Sequence, residues 1–165
     1  RIATSIEPVD FRHEDVDCAI RSGHGNWPGL NVDKLFSERL TPVCSPKIEL
    51  KTIEELQQQT LLHARLRPDD WHMWLRSAGV SELRPAHEQT FETRNFAIQA
   101  AIDGLGIAIV DPALVKDELR SGRLIQPFAQ SLPSENAYHL VSPPQMQMSE
   151  SLLAFRDWLL DEVRK

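Results

Sequence analysis

The chain has 165 residues, 41% of them hydrophobic, and a formal net charge of −6. That length suits one ordinary domain or two small lobes with a buried core, and it holds no stretch near the roughly 20 apolar residues of a membrane span. The acidic balance, with no cationic run of five or more, excludes a nucleic-acid-binding surface on this chain, because phosphate contacts need clustered Lys and Arg.

The sequence opens on Arg1 and not Met, which reads as a processed product or an excised fragment. Ile2-Ala3-Thr4-Ser5-Ile6 alternates as a strand does, with Pro8 ending it. Glu7, Asp10 and Glu14 follow at once, so no apolar signal core is present. Asp17-Cys18-Ala19-Ile20 is a short apolar run closed by Arg21-Ser22, and Gly23-His24-Gly25-Asn26-Trp27-Pro28-Gly29 is a loop of breakers. Leu40-Thr41-Pro42-Val43-Cys44 predicts an edge or crossing strand, and Ser45-Pro46 turns the chain.

Strands and helices then alternate. Thr52 with Glu55 has capping-box spacing ahead of a helix Ile53–Gln59, and Thr60–His63 is a short strand. Asp69 or Asp70 starts a helix with Trp71, Trp74 and Leu75 on one apolar face, and Gly79 stops it. His87–Glu92 predicts a strand anchored by Phe91. Thr93 caps a helix whose Ala97, Ala100 and Ala101 let its backbone lie close to a sheet. Ile107-Ala108-Ile109-Val110 is a strand of the kind buried on both faces. Asp111-Pro112 pairs an N-cap with Pro at the first helical position, and that helix runs through Leu114, Val115 and Leu119 to Gly122. Leu124–Phe128 and Tyr138–Val141 are the last strands, and Ser149 opens a final helix with Leu152, Phe155, Leu159 and Val163 in a stripe. Such alternation predicts an α/β fold with mainly parallel strands.

Catalytic signatures are missing. There is no Gly-x-Ser-x-Gly elbow, P-loop or His-Glu-x-x-His helix, and Gly23-His24-Gly25 lacks the third glycine of a dinucleotide fingerprint. The histidines at 13, 24, 63, 72, 87 and 139 form no i,i+4 pair and have no cysteine at ligand spacing, which disfavours zinc. A binding function without enzyme activity, metal or cofactor is therefore expected.

Several blocks carry a family resemblance. Val16 to Gly23 followed by Gly25-Asn26-Trp27-Pro28-Gly29-Leu30 resembles the LysR-type transcriptional regulators, in the branch of the glycine-cleavage and β-lactamase-gene regulators. Leu40 to Pro46, Gln99 to Ala108, Leu119 to Phe128 and Ala154 to Leu159 are similar to that branch in the same order. The resemblance implies the effector-binding domain, a two-lobed fold like a periplasmic binding protein. Lobe I would be residues 1–44 and 128–165, lobe II 45–127, with Pro42 and Pro127 on the two crossing strands. It also implies that the N-terminal winged helix-turn-helix lies outside this chain. The first strand and helix of lobe I would be missing, since Ile2–Ile6 matches the second strand.

In open α/β sheets, ligands sit at the carboxyl ends of strands, where helix N-termini present free N–H groups. Arg21 and Ser22 end one strand, and Arg21 either holds a carboxylate bidentately or is a solvated strand-end arginine. Thr93, Arg94 and Asn95 open a helix, as an anion site or a plain cap. His63 and Arg65 end another strand, facing a ligand or lying in a surface loop. Asp111 reads first as a cap and second as a ligand group. Tyr138, the only tyrosine, stands where the resembling family has a cleft-side aromatic. This set suggests a small anionic effector, amino-acid-like or peptide-like, in an inter-lobe cleft.

Trp71, Trp74 and Trp158 read as packing residues, and Trp27 as loop packing or as an interface residue. Cys18 and Cys44 are too few for a disulfide scaffold and fit a reducing, cytoplasmic setting; they are either inert packed thiols or a redox pair biasing lobe closure. The expected partners are the effector and further copies of the chain, with DNA contacted only through the missing domain and no membrane. A thiol-based redox regulator is the alternative, and a solute-binding protein for transport is the alternative of another class.

Overall fold

A computed structural model describes residues 2–5, 7–144 and 149–164. Among the described residues there are six strands and four α-helices, with 3-10 turns at Ile53–Gln58 and Pro112–Val115. The chain divides into two units, Arg1–Glu38 with Ser134–Lys165 and Arg39–Pro133. The changeovers fall inside two long strands, β2 (Asn31–Cys44) and β6 (Leu132–Ser142).

The second unit is a sheet with helices on both faces. Its order is the end of β2, then β5 (Ile107–Val110), β3 (Thr60–Ala64) and β4 (His87–Phe91). β3 runs parallel to both β4 and β5, while β2 is antiparallel to β5, with Thr41 opposite Val110 and Cys44 opposite Ile107. Helix α1 (Asp70–Ser77) connects β3 to β4, and α2 (Arg94–Ile102) connects β4 to β5, because parallel neighbours need a crossover long enough for a helix.

The period of two sorts the core. Leu40, Cys44, Leu61, Ile107 and Ile109 face a cluster with Leu56, Trp71, Trp74 and Phe128. Val43, Leu62, Ala108 and Val110 face Ala97, Ala100, Ala101 and Val115 on the other side. Full burial of each large aliphatic here contributes about 1.5–3 kcal/mol. All four residues of β5 are buried, as their continuous apolar run requires. Trp71 and Trp74 meet edge to face, and their indole N–H groups donate to the carbonyls of Leu62 (3.1 Å) and Gln130 (3.4 Å), so neither ring is buried at the cost of its polar atom. Helix α3 (Lys116–Arg120) continues from the 3-10 turn, so the helix expected over this stretch is built in two pieces.

The first unit holds β1 (Ala19–Gly23), antiparallel to β6, with the beginning of β2 on the other side of β6. Helix α4 (Glu150–Glu162) is capped by Ser149, whose hydroxyl accepts from the Leu152 amide. Arg156 grips Asp33 of β2 with two nitrogens, the Nε bond being 2.7 Å.

Several local expectations are corrected. Residues 2–5 form no strand, and Ile2 is 96% exposed; alternation alone cannot make a strand without a neighbour to take its backbone hydrogen bonds. Leu124–Phe128 is not a strand either. Ile125 alone exchanges hydrogen bonds with Cys44, at 2.8 and 3.1 Å, and Pro127 offers no donor to continue the ladder. The second crossing strand is therefore β6, carrying Pro133. The sheet is mixed and not mainly parallel, since β1–β6 and β2–β5 are antiparallel. Trp158 is 56% exposed, so it is not a packing residue.

Candidate functional site

β3, β4 and β5 finish at one end of the second unit, at Ala64, Phe91 and Val110. The residues immediately beyond them hold most of the candidate ligand groups. Arg94, the first residue of α2, donates to Asp70 Oδ2 at 2.6 Å. Arg67 donates to Asp70 Oδ1 from Nε (3.1 Å) and Nη2 (3.0 Å). A buried carboxylate thus holds two guanidinium groups in fixed positions. Thr93 occupies the N-cap position with extended backbone but makes no side-chain capping bond. Asn95 is exposed beside it, and Arg65, also exposed, pairs with Glu92.

His63 is half-buried, with Nε2 3.8 Å from Glu88 Oε1. Burial pushes its pKa below the usual imidazole value, and the opposing pull of Glu88 is the smaller effect. Asp111 is almost wholly buried. Its Oδ1 accepts from the Ala113 amide (2.8 Å) and its Oδ2 from the Arg39 amide (2.7 Å), so both oxygens are engaged by backbone. The capping reading of Asp111 is what the structure displays.

In the first unit, strand alternation separates residues that stand next to each other in sequence. Arg21 lies opposite His139, and Ser22 opposite Tyr138, so the two pairs are on opposite faces. The Arg21 guanidinium carbon sits 5.1 Å from the Trp27 ring centre, and Trp27 meets His139 edge to face at 5.2 Å. Gly25, at φ +82°, lets the loop close over His139, for a Cβ there would stand 2.9 Å from Nε2. Tyr138 stacks on Phe36 of β2 at 4.7 Å, while Ser22 is exposed.

Asp70 as the counter-ion, Arg67, and His139 beside Trp27 lie outside the set of residues expected from the sequence. Arg94 and Asp70 are 24 positions apart and Arg21 and His139 still further, so no local spacing signals either contact. Asp70 stands in the sequence as a helix-start acid, and Arg67 three positions before it has the spacing of a local ion pair.

The thiols are both free, Cys18 half-buried and Cys44 fully buried. Burial pushes Cys44 up to about 11, and burial together with the Asp17 carboxylate raises Cys18. Among the described residues no group of three or more His, Cys, Asp or Glu side chains could hold a metal ion, and no helix is long and apolar enough to cross a membrane.

Comparison with known proteins agrees with this architecture. Residues 1–164 match the LysR substrate binding domain. The chain is 40% identical over 168 residues to the glycine cleavage system transcriptional activator of Escherichia coli K12, covering 96% of this chain and 55% of the relative. It is 34% identical over 164 residues to the transcriptional activator AmpR of Pseudomonas aeruginosa, covering 98% and 55%. The chain therefore spans about half the length of these relatives. Among solved structures, the effector domain of Pseudomonas aeruginosa AmpR superimposes with a TM-score of 0.81 at 34% identity, covering 94% of this chain and 75% of that one. The Citrobacter freundii AmpR effector binding domain gives 0.85 at 26%, covering 95% and 79%. The mixed α/β fold, like that of a periplasmic binding protein, is the fold of these effector domains, and the chain belongs to the LysR substrate binding domain family.

Proposed function

We propose that this chain is the sensing part of a cytoplasmic, homo-oligomeric DNA-binding transcription regulator, and that it binds a small anionic effector at the strand ends of its second unit. Support for a regulator, over a transport protein of similar fold, comes from the relatives, which are transcription activators. DNA contact belongs to a part of the protein outside this chain, consistent with the net charge of −6.

One observation carries the choice of effector. Arg94 stands at the first turn of α2, held by Asp70, where the Thr93 side chain does not cap the helix. A carboxylate meeting that turn would find backbone N–H groups and a pre-oriented guanidinium. Arg21, Ser22 and Tyr138 of the first unit, and His63, Arg65, Asn95 and Asp111 of the second, remain further candidates. The thiol-based alternative has less support, because raised thiol pKa values leave little thiolate to react.

Titration calorimetry of the chain against a panel of amino acids and small carboxylic acids tests the reading. At least one acid is expected to bind saturably, and Arg94→Gln to weaken it about tenfold or more, the loss of a charge-assisted hydrogen bond. A panel with no heat and no change in thermal midpoint overturns it, as does equal affinity of the Arg94 variant.

A further inference from the structure

Asp111 does more than cap a turn. Capping the 3-10 turn at Pro112–Val115 needs one oxygen, the Oδ1 that accepts from Ala113. The other oxygen reaches 72 positions back, to the amide of Arg39 at 2.7 Å. Arg39 is the residue at which β2 enters the second unit. Its own side chain donates through Nε to Ser131 Oγ at 3.1 Å, just ahead of the strand by which the chain leaves that unit. Thr41 Oγ1 donates to the Gln130 carbonyl at 3.4 Å, and the same carbonyl accepts from Trp74 Nε1. Gln130 Nε2 donates to the Ser77 carbonyl at 2.9 Å. The entering and leaving segments are thus tied to each other, to the end of β5 and to α1.

We propose that Asp111 is a positioning residue that clasps the two chain crossings of the second unit together, and so couples the strand ends to both crossings. A change at the end of β5 would then reach residues 39–41 and 130–131 as one body. Its value as a relay of effector binding rests on the reading given above. The clasp itself is a property of the chain without any ligand, so its test needs none.

Amide hydrogen exchange on the Asp111→Asn variant decides it. The asparagine oxygen still accepts from Ala113, while its NH2 group faces the Arg39 N–H donor to donor. The Arg39 amide is expected to exchange about tenfold or more faster, with residues 130–132 speeding up as well, while Ala113 and the amides of β3 and β5 stay within about twofold. Acceleration confined to residues 112–115, or an unchanged Arg39 amide, overturns the clasp and leaves a local cap. If the variant instead loses protection throughout the unit, Ser131→Ala decides, since that side chain is only half-buried. It is expected to loosen residues 130–132 with the Arg39 amide still protected by Asp111. No change there overturns the coupling of the two crossings.

Discussion

His63 and Asp70 show how residue-scale chemistry in the second unit depends on what surrounds each group. Asp70 is buried between Arg67 and Arg94, which compensate the cost of taking a carboxylate out of water. His63 has no such compensation. Its Nε2 is buried without a hydrogen-bond partner, and Glu88 at 3.8 Å is mostly exposed, so desolvation lowers the pKa below 6.5. The unfolded chain, with an ordinary imidazole, binds a proton at a higher pH than the folded one. Between the two values the unfolded state holds more protons, so stability rises with pH through that window and is lost as pH falls through the folded pKa. Urea unfolding across pH 5 to 7.5 is expected to show a positive slope smaller than one full proton allows, and His63→Gln is expected to flatten it. An identical slope in the variant would assign the effect to another group.

Element packing turns on a single glycine. Gly106 precedes β5, and a Cβ there would stand 2.4 Å from the Thr60 carbonyl oxygen and 3.0 Å from Leu62 Cδ2. The backbone atom cannot swing away as a side-chain tip could, because Thr60 begins β3 and is paired to β4. Gly106→Ala is therefore expected to destabilise the chain by about 1–3 kcal/mol, read as a lower denaturation midpoint at unchanged m-value. A loss under about 0.5 kcal/mol would mean that the two strand starts can separate freely. The alanines of α2 follow the same logic in reverse. Ala97, Ala100 and Ala101 are all buried because the helix backbone approaches the sheet closely enough to cover them.

For the whole molecule, the division of apolar burial is uneven. Among the described residues, both hydrophobic clusters belong to the second unit. The first unit buries Ala137, Leu140, Val141 and Leu152, while Ile20, Leu153, Phe155 and Trp158 are 40% exposed or more. Burial of apolar surface is the main favourable term in folding, so local stability should follow it. Native-state exchange is expected to give the slowest amides in β3 and β5 and amides at least about tenfold faster in β1 and β6. Equal protection in the two units would show that something other than apolar burial secures the first.

Elements whose cause is local are legible from the order of residues alone. The continuous run Ile107–Val110 reads as a strand covered on both sides, Asp111-Pro112 reads first as the start of a helical turn, and the spacing of Trp71 and Trp74 turns both to one face. The sequence also carried the family, through blocks of residues that resemble that family in the same order along the chain. Tertiary structure decided whatever depends on partners distant in sequence. Ile2 to Ser5 has the right alternation and no strand beside it, while Pro127 stands where a ladder would need a donor. Arg21 and Ser22 are neighbours that pleating sends to opposite faces, and Asp70 meets Arg94 only because parallel β3 and β4 start α1 and α2, on opposite faces of the sheet, at the same end of it. Asp111 shows the division most clearly: its Ala113 bond is legible from two adjacent residues, but its bond to Arg39 exists only because β2 runs antiparallel to β5.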